Sequence, residues 1–197
     1  MPRLLALGLL LCGPLPGCGD SEPSAPPPSR SRVDAVLAPA GDNVKLDAFC
    51  EVQGRGATAP SLSWPELDGA APAASGGWAW VSLWATWCQP CLAELPMMKR
   101  WEERLQGEGH ALAMQHISVD ASAADLDSFR AGHPDAPAGP RVSDQASVEP
   151  WLASLGLDAG AAIPIHLFVD PQQHIRCVRV GAVSEADYPT VKHILGG

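Results

Sequence analysis

Positive charge is scarce in this sequence. The 197 residues include 13 Lys and Arg against 22 Asp and Glu, which gives a formal net charge of −9 at pH 7. This balance argues against nucleic acid or an anionic membrane surface as a binding partner. The apolar fraction of 46% and the charged fraction of 18% are typical of a soluble globular core and exclude general disorder.

Long apolar runs and grouped metal ligands are also missing. The apolar run near the start, LLALGLLLCGPLPGC, is too short for a membrane-spanning helix. A structural zinc site usually needs four Cys or His ligands, whereas this sequence has a single Cys-x-x-Cys, with Cys50 and Cys177 far from it. No two of the six histidines stand at metal-ligand spacing. We therefore expect neither a metal site nor a cofactor.

The first 32 residues have the layout of an export signal followed by a spacer. MPR supplies a positive start, the apolar run follows, and LPGC at 15–18 resembles a bacterial lipobox. We interpret residues 1–18 as a lipoprotein signal peptide with Cys18 as the lipidation site; an ordinary secretory signal cleaved nearby is the alternative. Residues 19–32, rich in Pro and Ser, are interpreted as an extended tether. The mature protein is then exported, to a compartment where disulfides persist.

The rest of the chain alternates strand and helix patterns. Residues 33–58 are weakly patterned and are interpreted as an N-terminal extension, and residues 59–197 as the folded domain. Strands are predicted in APSLSWPELDG and at 78–84, 111–119, 141–142, 165–169 and 174–180. Helices are predicted from Cys88 to the GEG at 107–109, from Ser122 to about 131, around 149–155, and from Ser184. This order predicts an α/β fold with a mixed central β-sheet and helices on both faces.

The stretch WATWCQPC, residues 84–91, joins a predicted strand to a predicted helix. A cysteine at a helix N-terminus faces unpaired backbone N–H groups and the positive end of the helix dipole, and both favour its thiolate. The thiolate is the nucleophile in disulfide exchange. Cys91 lies one turn further in and can attack the mixed disulfide that Cys88 forms. A purely structural bond would close a very short loop and remove little unfolded-state entropy, so the spacing favours a working dithiol.

WATWCQPC, with APSLSWPELDG before it and AAIPIHLFVD after it, resembles the thioredoxin fold, and more narrowly the TlpA/ResA-like family of exported, membrane-tethered thiol–disulfide oxidoreductases. The resemblance runs from about residue 59 to the C-terminus. It implies that Cys88 is the nucleophile and Cys91 the resolving cysteine. Ile163 and Pro164 match the cis-proline segment that docks the substrate chain, and Trp87 is assigned to the same docking surface. From the sequence alone, Pro164 could also be an ordinary trans proline at a strand edge.

Glu94 completes the pattern C-x-x-C-x-x-E-x-P, which this branch of the family often has. It follows Cys91 by three residues, so both side chains can face one side of the helix. Thioredoxins usually carry a buried Asp on the preceding strand, where this chain has Ser82. Glu94 is therefore the candidate for proton transfer with Cys91. A solvated helix glutamate is the alternative.

Four cysteines remain once the signal peptide and the lipidated residue are set aside. If Cys88 and Cys91 are the working pair, Cys50 and Cys177 are left over, and export favours a structural disulfide between them. Such a bond would close a long loop, and in the chain-entropy model it stabilises a fold by on the order of several kcal/mol. Two buried free thiols are the alternative.

The residues between the two active cysteines bear on redox direction. A histidine there would stabilise the Cys88 thiolate and make the disulfide a stronger oxidant, whereas Gln89 and Pro90 supply no charge. We therefore expect a reductase of client-protein disulfides; a dithiol oxidase or isomerase, and a non-enzymatic copper- or client-binding module, are the alternatives. The resemblance implies a place on the periplasmic side of a bacterial membrane, a membrane thiol electron donor, and apocytochrome c, in cytochrome c maturation, or another exported protein as the client.

Overall fold

The computed structural model describes residues 46–196. The predicted signal peptide, the lipidation site Cys18, the tether and the first part of the extension lie outside the described residues. Within 46–196, no helix is both long and apolar enough to cross a membrane.

A seven-stranded mixed sheet organises the described chain. Its strands are β1 Val52–Gln53, β2 Leu67–Asp68, β3 Trp78–Trp84, β4 Leu112–Ser118, β5 Arg141–Val142, β6 Ile165–Val169 and β7 Ile175–Val180. The spatial order is β1-β7-β6-β3-β4-β5-β2. Strands β3, β4 and β5 are parallel to one another, and the remaining pairings are antiparallel. The predicted mixed sheet is confirmed.

Helices cover both faces of this sheet, as predicted. They are α1 Leu46–Phe49, α2 Gln89–Gly107, α3 Ala123–Gly132, α4 Val148–Ser154 and α5 Tyr188–Ile194. On one face, Trp101 of α2 and Val191 of α5 pack in a cluster with Trp80 of β3. On the other face, Leu152 of α4 packs in a cluster with Val81 of β3.

Two helix starts show why the sequence pattern was readable. The Ser122 hydroxyl accepts a hydrogen bond from the Asp125 N–H at the start of α3. Ser184 and Asp187 form a reciprocal capping box at the start of a 3-10 turn, Glu185–Asp187, that leads directly into α5. Both caps satisfy backbone N–H groups that a helix end leaves without intrahelical partners, so the predicted starts are confirmed.

Strand β3 is the centre of the core. Trp80, Val81, Leu83 and Trp84 are each at most 1% exposed. The Trp80 ring packs against Phe168 of β6, with centroids 4.8 Å apart, and the residues on the two sides of β3 enter separate apolar clusters. A strand buried on both faces is expected to be apolar throughout. This rigid strand fixes the position at which WATWCQPC begins.

The stretch before residue 59 contributes an edge of the sheet. Strand β1 pairs antiparallel with β7, with Val52 opposite Val178 and Gln53 opposite Cys177. Sequence patterning did not indicate this strand, because two residues are too few to show an alternation. The described part of the predicted extension is therefore built into the domain's sheet.

Asp170 organises the hairpin between β6 and β7. Its carboxylate accepts backbone N–H bonds from Gln172 and His174, each at 2.9 Å, and the Arg176 Nε–H at 2.6 Å. Burial acts to raise the pKa of Asp170, but the His174 N–H and the Arg176 guanidinium outweigh it, so the pKa lies below its ordinary value. The hairpin predicted at this position is present, and its turn is held by a carboxylate that stays ionised.

Candidate active site

The Cys88–Cys91 pair lies where the central strand meets the longest helix of the described chain. Strand β3 ends at Trp84, and Cys88 is the N-cap of α2. The two cysteines form a disulfide, with Cα atoms 5.3 Å apart. The Cys88 sulfur also accepts the Cys91 backbone N–H at 3.3 Å. The same N–H and the helix dipole would stabilise a thiolate at Cys88 in the reduced form.

Access to solvent differs between the two sulfurs. Cys91 is fully buried, whereas Cys88 retains 4% of its surface. A disulfide is attacked, or formed, through whichever sulfur a partner can reach. Cys88 is therefore the cysteine of this pair that a partner can reach.

The segment in front of Cys88 is anchored to the end of β4. The Thr86 N–H and hydroxyl both donate to the buried Asp120 carboxylate, the hydroxyl at 2.7 Å. Asp120 also accepts the Ser118 hydroxyl at 2.8 Å. These contacts hold the approach to Cys88 against the neighbouring strand. Sequence reasoning did not identify Asp120, although a polar residue just past the carboxyl end of a central parallel strand is a recognisable signal.

The predicted docking residues lie around Cys88. The Ile163 carbonyl oxygen is 3.8 Å from the Cys88 sulfur, and the Ile163–Pro164 peptide bond is cis. Pro164 is buried immediately before β6. The sequence had placed Ile163 and Pro164 more than seventy residues from Cys88, and the fold brings them to it.

Trp87 stands at the mouth of this site. Its side chain is 65% exposed, and it lies in the loop after β3. With Ile163 it lines a groove of about 430 Å³. The other apolar lining residues include Leu83, Val119, Leu152 and Ile165. An apolar groove beside a reactive sulfur can receive a client side chain.

Glu94 is buried directly below the dithiol. It is 4% exposed, so the alternative of a solvated helix glutamate is wrong. It follows Cys91 by one helical turn, and Cβ atoms at this spacing are about 5–6 Å apart. One carboxylate oxygen, Oε2, accepts the Val183 N–H at 2.9 Å. The other, Oε1, lies 3.3 Å from His166 Nε2.

A row of polar side chains crosses the sheet beneath Glu94. This polar row consists of register partners on four adjacent strands: His116 on β4, Ser82 on β3, His166 on β6 and Arg179 on β7. Burial, and secondarily the charge of His166, lowers the pKa of His116 to about 4, so His116 is neutral at pH 7.

The sequence analysis considered the histidines only as possible metal ligands and gave His116 and His166 no role. The signal was available in IHLFV and ALAMQHISV, where His166 shares a side of its predicted strand with Phe168, and His116 shares one with Leu112 and Met114. A buried polar group in such a place needs a partner. What the sequence could not show is that these two histidines flank Ser82 in one register.

Cys50 and Cys177 form a second disulfide in the structure, with Cα atoms 5.4 Å apart. It joins the segment after α1 to strand β7. Among residues 46–196, no three Cys, His, Asp or Glu side chains are grouped so as to hold a metal ion.

No protein-family model matches the chain, and no curated protein matches it either. Solved structures do resemble it. A secreted thiol-disulfide isomerase from Corynebacterium glutamicum is 19% identical with a TM-score of 0.53, over 74% of this chain and 92% of that one. A thioredoxin family thiol:disulfide interchange protein from Chlorobium tepidum TLS is 22% identical with a TM-score of 0.51, over 74% of this chain and all of that one.

A third structure agrees with these two. The thioredoxin domain of a thiol-disulfide oxidoreductase from Bacteroides vulgatus is 18% identical with a TM-score of 0.51, over 73% of this chain and 98% of that domain. The predicted thioredoxin-like fold is confirmed. In this fold the chain carries a disulfide at a helix N-terminus, a cis-proline segment against it and a buried carboxylate below it.

Proposed function

We propose that this thioredoxin-like chain is an exported thiol–disulfide oxidoreductase of the TlpA/ResA-like type that reduces disulfides of client proteins. One observation carries the proposal: the Cys88 sulfur caps α2, accepts the Cys91 N–H at 3.3 Å and lies 3.8 Å from the Ile163 carbonyl. A sulfur that is stabilised as thiolate and has some access to solvent is a nucleophile for disulfides. The structural likenesses are too distant to carry the activity by themselves.

The reaction starts from the reduced dithiol. The Cys88 thiolate attacks one sulfur of a client disulfide, which forms a mixed disulfide and releases the other client sulfur as a thiolate. Cys91 then loses its proton, and its sulfur attacks the Cys88 sulfur. This step forms the Cys88–Cys91 disulfide and releases the second client sulfur. The client gains two electrons and the protein loses two, so a membrane thiol donor must reduce the protein again.

The docking of the client falls to the groove next to Cys88. The Ile163 backbone lies beside the reactive sulfur, Pro164 fixes the chain leading into β6, and Trp87 forms an exposed aromatic wall. A backbone carbonyl and an apolar wall bind a peptide chain without demanding one sequence. This suits an enzyme that acts on unfolded clients, of which apocytochrome c is the expected type.

Insulin reduction tests the activity. With dithiothreitol as the electron source, the wild-type protein should accelerate precipitation of the insulin B chain, and Cys88→Ser should lose this acceleration. Cys91→Ser should instead trap clients as stable mixed disulfides on Cys88, which mass spectrometry can identify. A wild-type protein that does not reduce insulin, together with a Cys91→Ser variant that traps no client, would contradict the proposal.

The direction of the reaction is tested by the reduction potential. Because Gln89 and Pro90 carry no charge, we expect a potential near that of thioredoxin, about −270 mV, as measured by equilibration with glutathione. A value near about −120 mV, where strong oxidants lie, would make the protein an oxidase.

The membrane anchor is a separate part of the proposal and depends on the sequence of residues 15–18. Lipidation at Cys18 would place the domain on the periplasmic side of a bacterial membrane, on a Pro- and Ser-rich tether. Expression of the full chain in a bacterium that processes lipoproteins, followed by mass spectrometry of the mature N-terminus, tests this. We expect a diacylglyceryl-modified Cys18. An unmodified N-terminus at another residue would instead indicate a secreted protein without a lipid anchor.

A further inference from the structure

Unpartnered buried atoms are concentrated at the polar row and Glu94. Within residues 46–196, nine buried side-chain nitrogen and oxygen atoms have no hydrogen-bond partner. Five of the nine belong to this one place: Ser82 Oγ, Glu94 Oε1, His116 Nδ1, His166 Nε2 and Arg179 Nε. Buried polar groups without partners are uncommon in folded proteins and often mark a functional site. Of these residues, Glu94 lies one helical turn from Cys91 on α2.

The tautomer of His166 follows from its neighbour. Trp80 Nε1 lies 3.2 Å from His166 Nδ1 in the buried core. An indole N–H can only donate a hydrogen bond, so His166 Nδ1 must be the acceptor. The proton of a neutral His166 is therefore on Nε2, the atom that faces Glu94 Oε1 at 3.3 Å.

This arrangement holds the Glu94 carboxylate from two sides. The Val183 N–H donates to Oε2 at 2.9 Å, and the His166 Nε2–H stands at 3.3 Å from Oε1. The N–H direction at Oε1 falls short of hydrogen-bond geometry, so this contact is a close approach of donor and acceptor, whereas the Val183 N–H makes a formed hydrogen bond. A carboxylate has about four lone-pair sites, so these two neighbours leave sites at which it can take a proton from a third group.

We propose that His166 is a positioning residue, whose Nε2–H, fixed by Trp80, holds Glu94 where it exchanges a proton with Cys91. The inference rests on the proposed function. When the Cys91 sulfur attacks the Cys88 sulfur, the Cys91 proton passes to Glu94, the sulfur lone pair forms the new S–S bond, and the client sulfur leaves with the electron pair. When a donor reduces the disulfide, Glu94 returns the proton to Cys91.

Polar and charged groups face His166 from three neighbouring elements. Arg179 on β7 is its register partner and carries a guanidinium, which has N–H donors and no acceptor. Ser82 on β3 stands on the opposite side, and His116 beyond it is neutral at pH 7. Among these neighbours the Glu94 carboxyl on α2 is the acceptor that His166 Nε2 faces, at 3.3 Å.

A two-step reaction with a thiol reagent distinguishes the positioning of Glu94 by His166 from a purely structural role of His166. Reduced protein is mixed with dithiobis(nitrobenzoate), and the coloured thiolate is released first by attack of Cys88 and again when Cys91 resolves the mixed disulfide. Both rates are followed by stopped flow for His166→Leu, which removes the donor, and for His166→Gln, which keeps an N–H at a similar reach. His193→Leu, at an exposed site in the last turn of α5, is the matched control.

We expect His166→Leu to slow the second release about tenfold, which is less than the roughly hundredfold or more that a general acid or base itself contributes, because Glu94 remains in place, and to leave the first release unchanged. His166→Gln should recover most of the rate, and His193→Leu should leave both releases as in wild type. The pH at which the second release is half maximal should rise by about one pH unit in His166→Leu, towards that of an unassisted thiol.

A double-mutant cycle gives the sharpest readout. Glu94→Gln should slow the second release about a hundredfold, and adding His166→Leu to it should slow it no further, because His166 acts only through Glu94. Equal slowing by His166→Leu in both backgrounds, or none in wild type, would overturn the inference. Trp80→Phe tests the same chain of contacts if His166→Leu does not fold. Wild-type protein without a first release would instead overturn the proposed function.

Discussion

The two disulfides of this chain are nearly alike in local terms and opposite in setting. Their Cα atoms are 5.3 and 5.4 Å apart, and in each pair one cysteine is a few per cent exposed and the other at most 1%. Burial and geometry therefore do not separate a working disulfide from a structural one. What separates them is the length of chain that each bond closes and the groups that surround each sulfur.

Cys50–Cys177 spans 127 residues, whereas Cys88–Cys91 spans three. The long bond joins the segment between α1 and β1 to strand β7. It lies among apolar groups such as Phe49 and Phe168. The short bond lies at a helix N-terminus, with an N–H aimed at its sulfur and a carboxylate one turn below. The first setting stabilises a fold, and the second stabilises a charge on sulfur.

The largest expected difference between the two pairs is the loss of activity when a cysteine of the Cys88–Cys91 pair is replaced. Cys88→Ser should lower insulin reduction by about a thousandfold or more, because no other side chain can supply the attacking thiolate. Its free energy of unfolding should change by less than about 1 kcal/mol, since the loop that the bond closes is so short. Chemical denaturation alongside the activity assay measures both. Residual activity above a tenth of wild type would contradict the assignment.

The converse change is Cys50→Ala combined with Cys177→Ala. The free energy of unfolding should fall by about 2–5 kcal/mol, because the cross-link no longer limits the unfolded chain. Activity per folded molecule should stay within about twofold of wild type in the same assay. Urea denaturation of both proteins, with the wild type also measured in reducing agent as a control, gives the difference. A loss of activity without a loss of stability would reverse the roles of the two pairs.

A smaller effect is expected from a change in the groove beside the Cys88–Cys91 disulfide. Trp87→Ala removes an exposed aromatic wall, so KM for a protein client should rise about fivefold with little change in kcat. Stability should hardly change, because the side chain is 65% exposed. Trp87→Phe keeps an aromatic face and should retain most of the affinity. Equal KM values for wild type and Trp87→Ala would remove Trp87 from the docking surface.

The smallest expected effect is a pH dependence of the stability that Asp170 contributes at the hairpin between β6 and β7. The pKa of Asp170 is lowered in the folded protein, so the stability it contributes is present above the unfolded value near 4 and is lost as pH falls through the folded pKa. Acid should therefore weaken the hairpin that carries Cys177. Asp170→Asn should cost about 1 kcal/mol at pH 7 and less at pH 3. Thermal unfolding at the two pH values measures this, and an equal cost at both would contradict it.

Much of this organisation could be predicted from the sequence. Alternation in WAWVSLW fixed a central strand, and the spacing of Cys88 and Cys91 at the start of an apolar helix pattern indicated the dithiol. These signals are local, and the physics behind them is local too. The same holds for the caps at Ser122 and Ser184.

The features that escaped prediction depend on contacts between distant segments. Strand β1 is only two residues long and exists because β7 offers it an edge. His166 and Asp120 acquire their roles through Trp80 and Thr86, each more than thirty residues away in sequence. The burial of Glu94 likewise follows from the way α2 lies on the sheet. A single sequence shows residue types in order, but not which strands become neighbours.

Differential reduction compares the reactivity of the two disulfides within one protein sample. Oxidised, folded protein is treated with a limiting amount of dithiothreitol, alkylated at once, and mapped by mass spectrometry for label at each cysteine. We expect Cys88 and Cys91 to carry at least about tenfold more label than Cys50 and Cys177, because an active-site disulfide is the more reducible one. Equal labelling of the two pairs, or preferential labelling of Cys50 and Cys177, would contradict the division into a working dithiol and a structural bond.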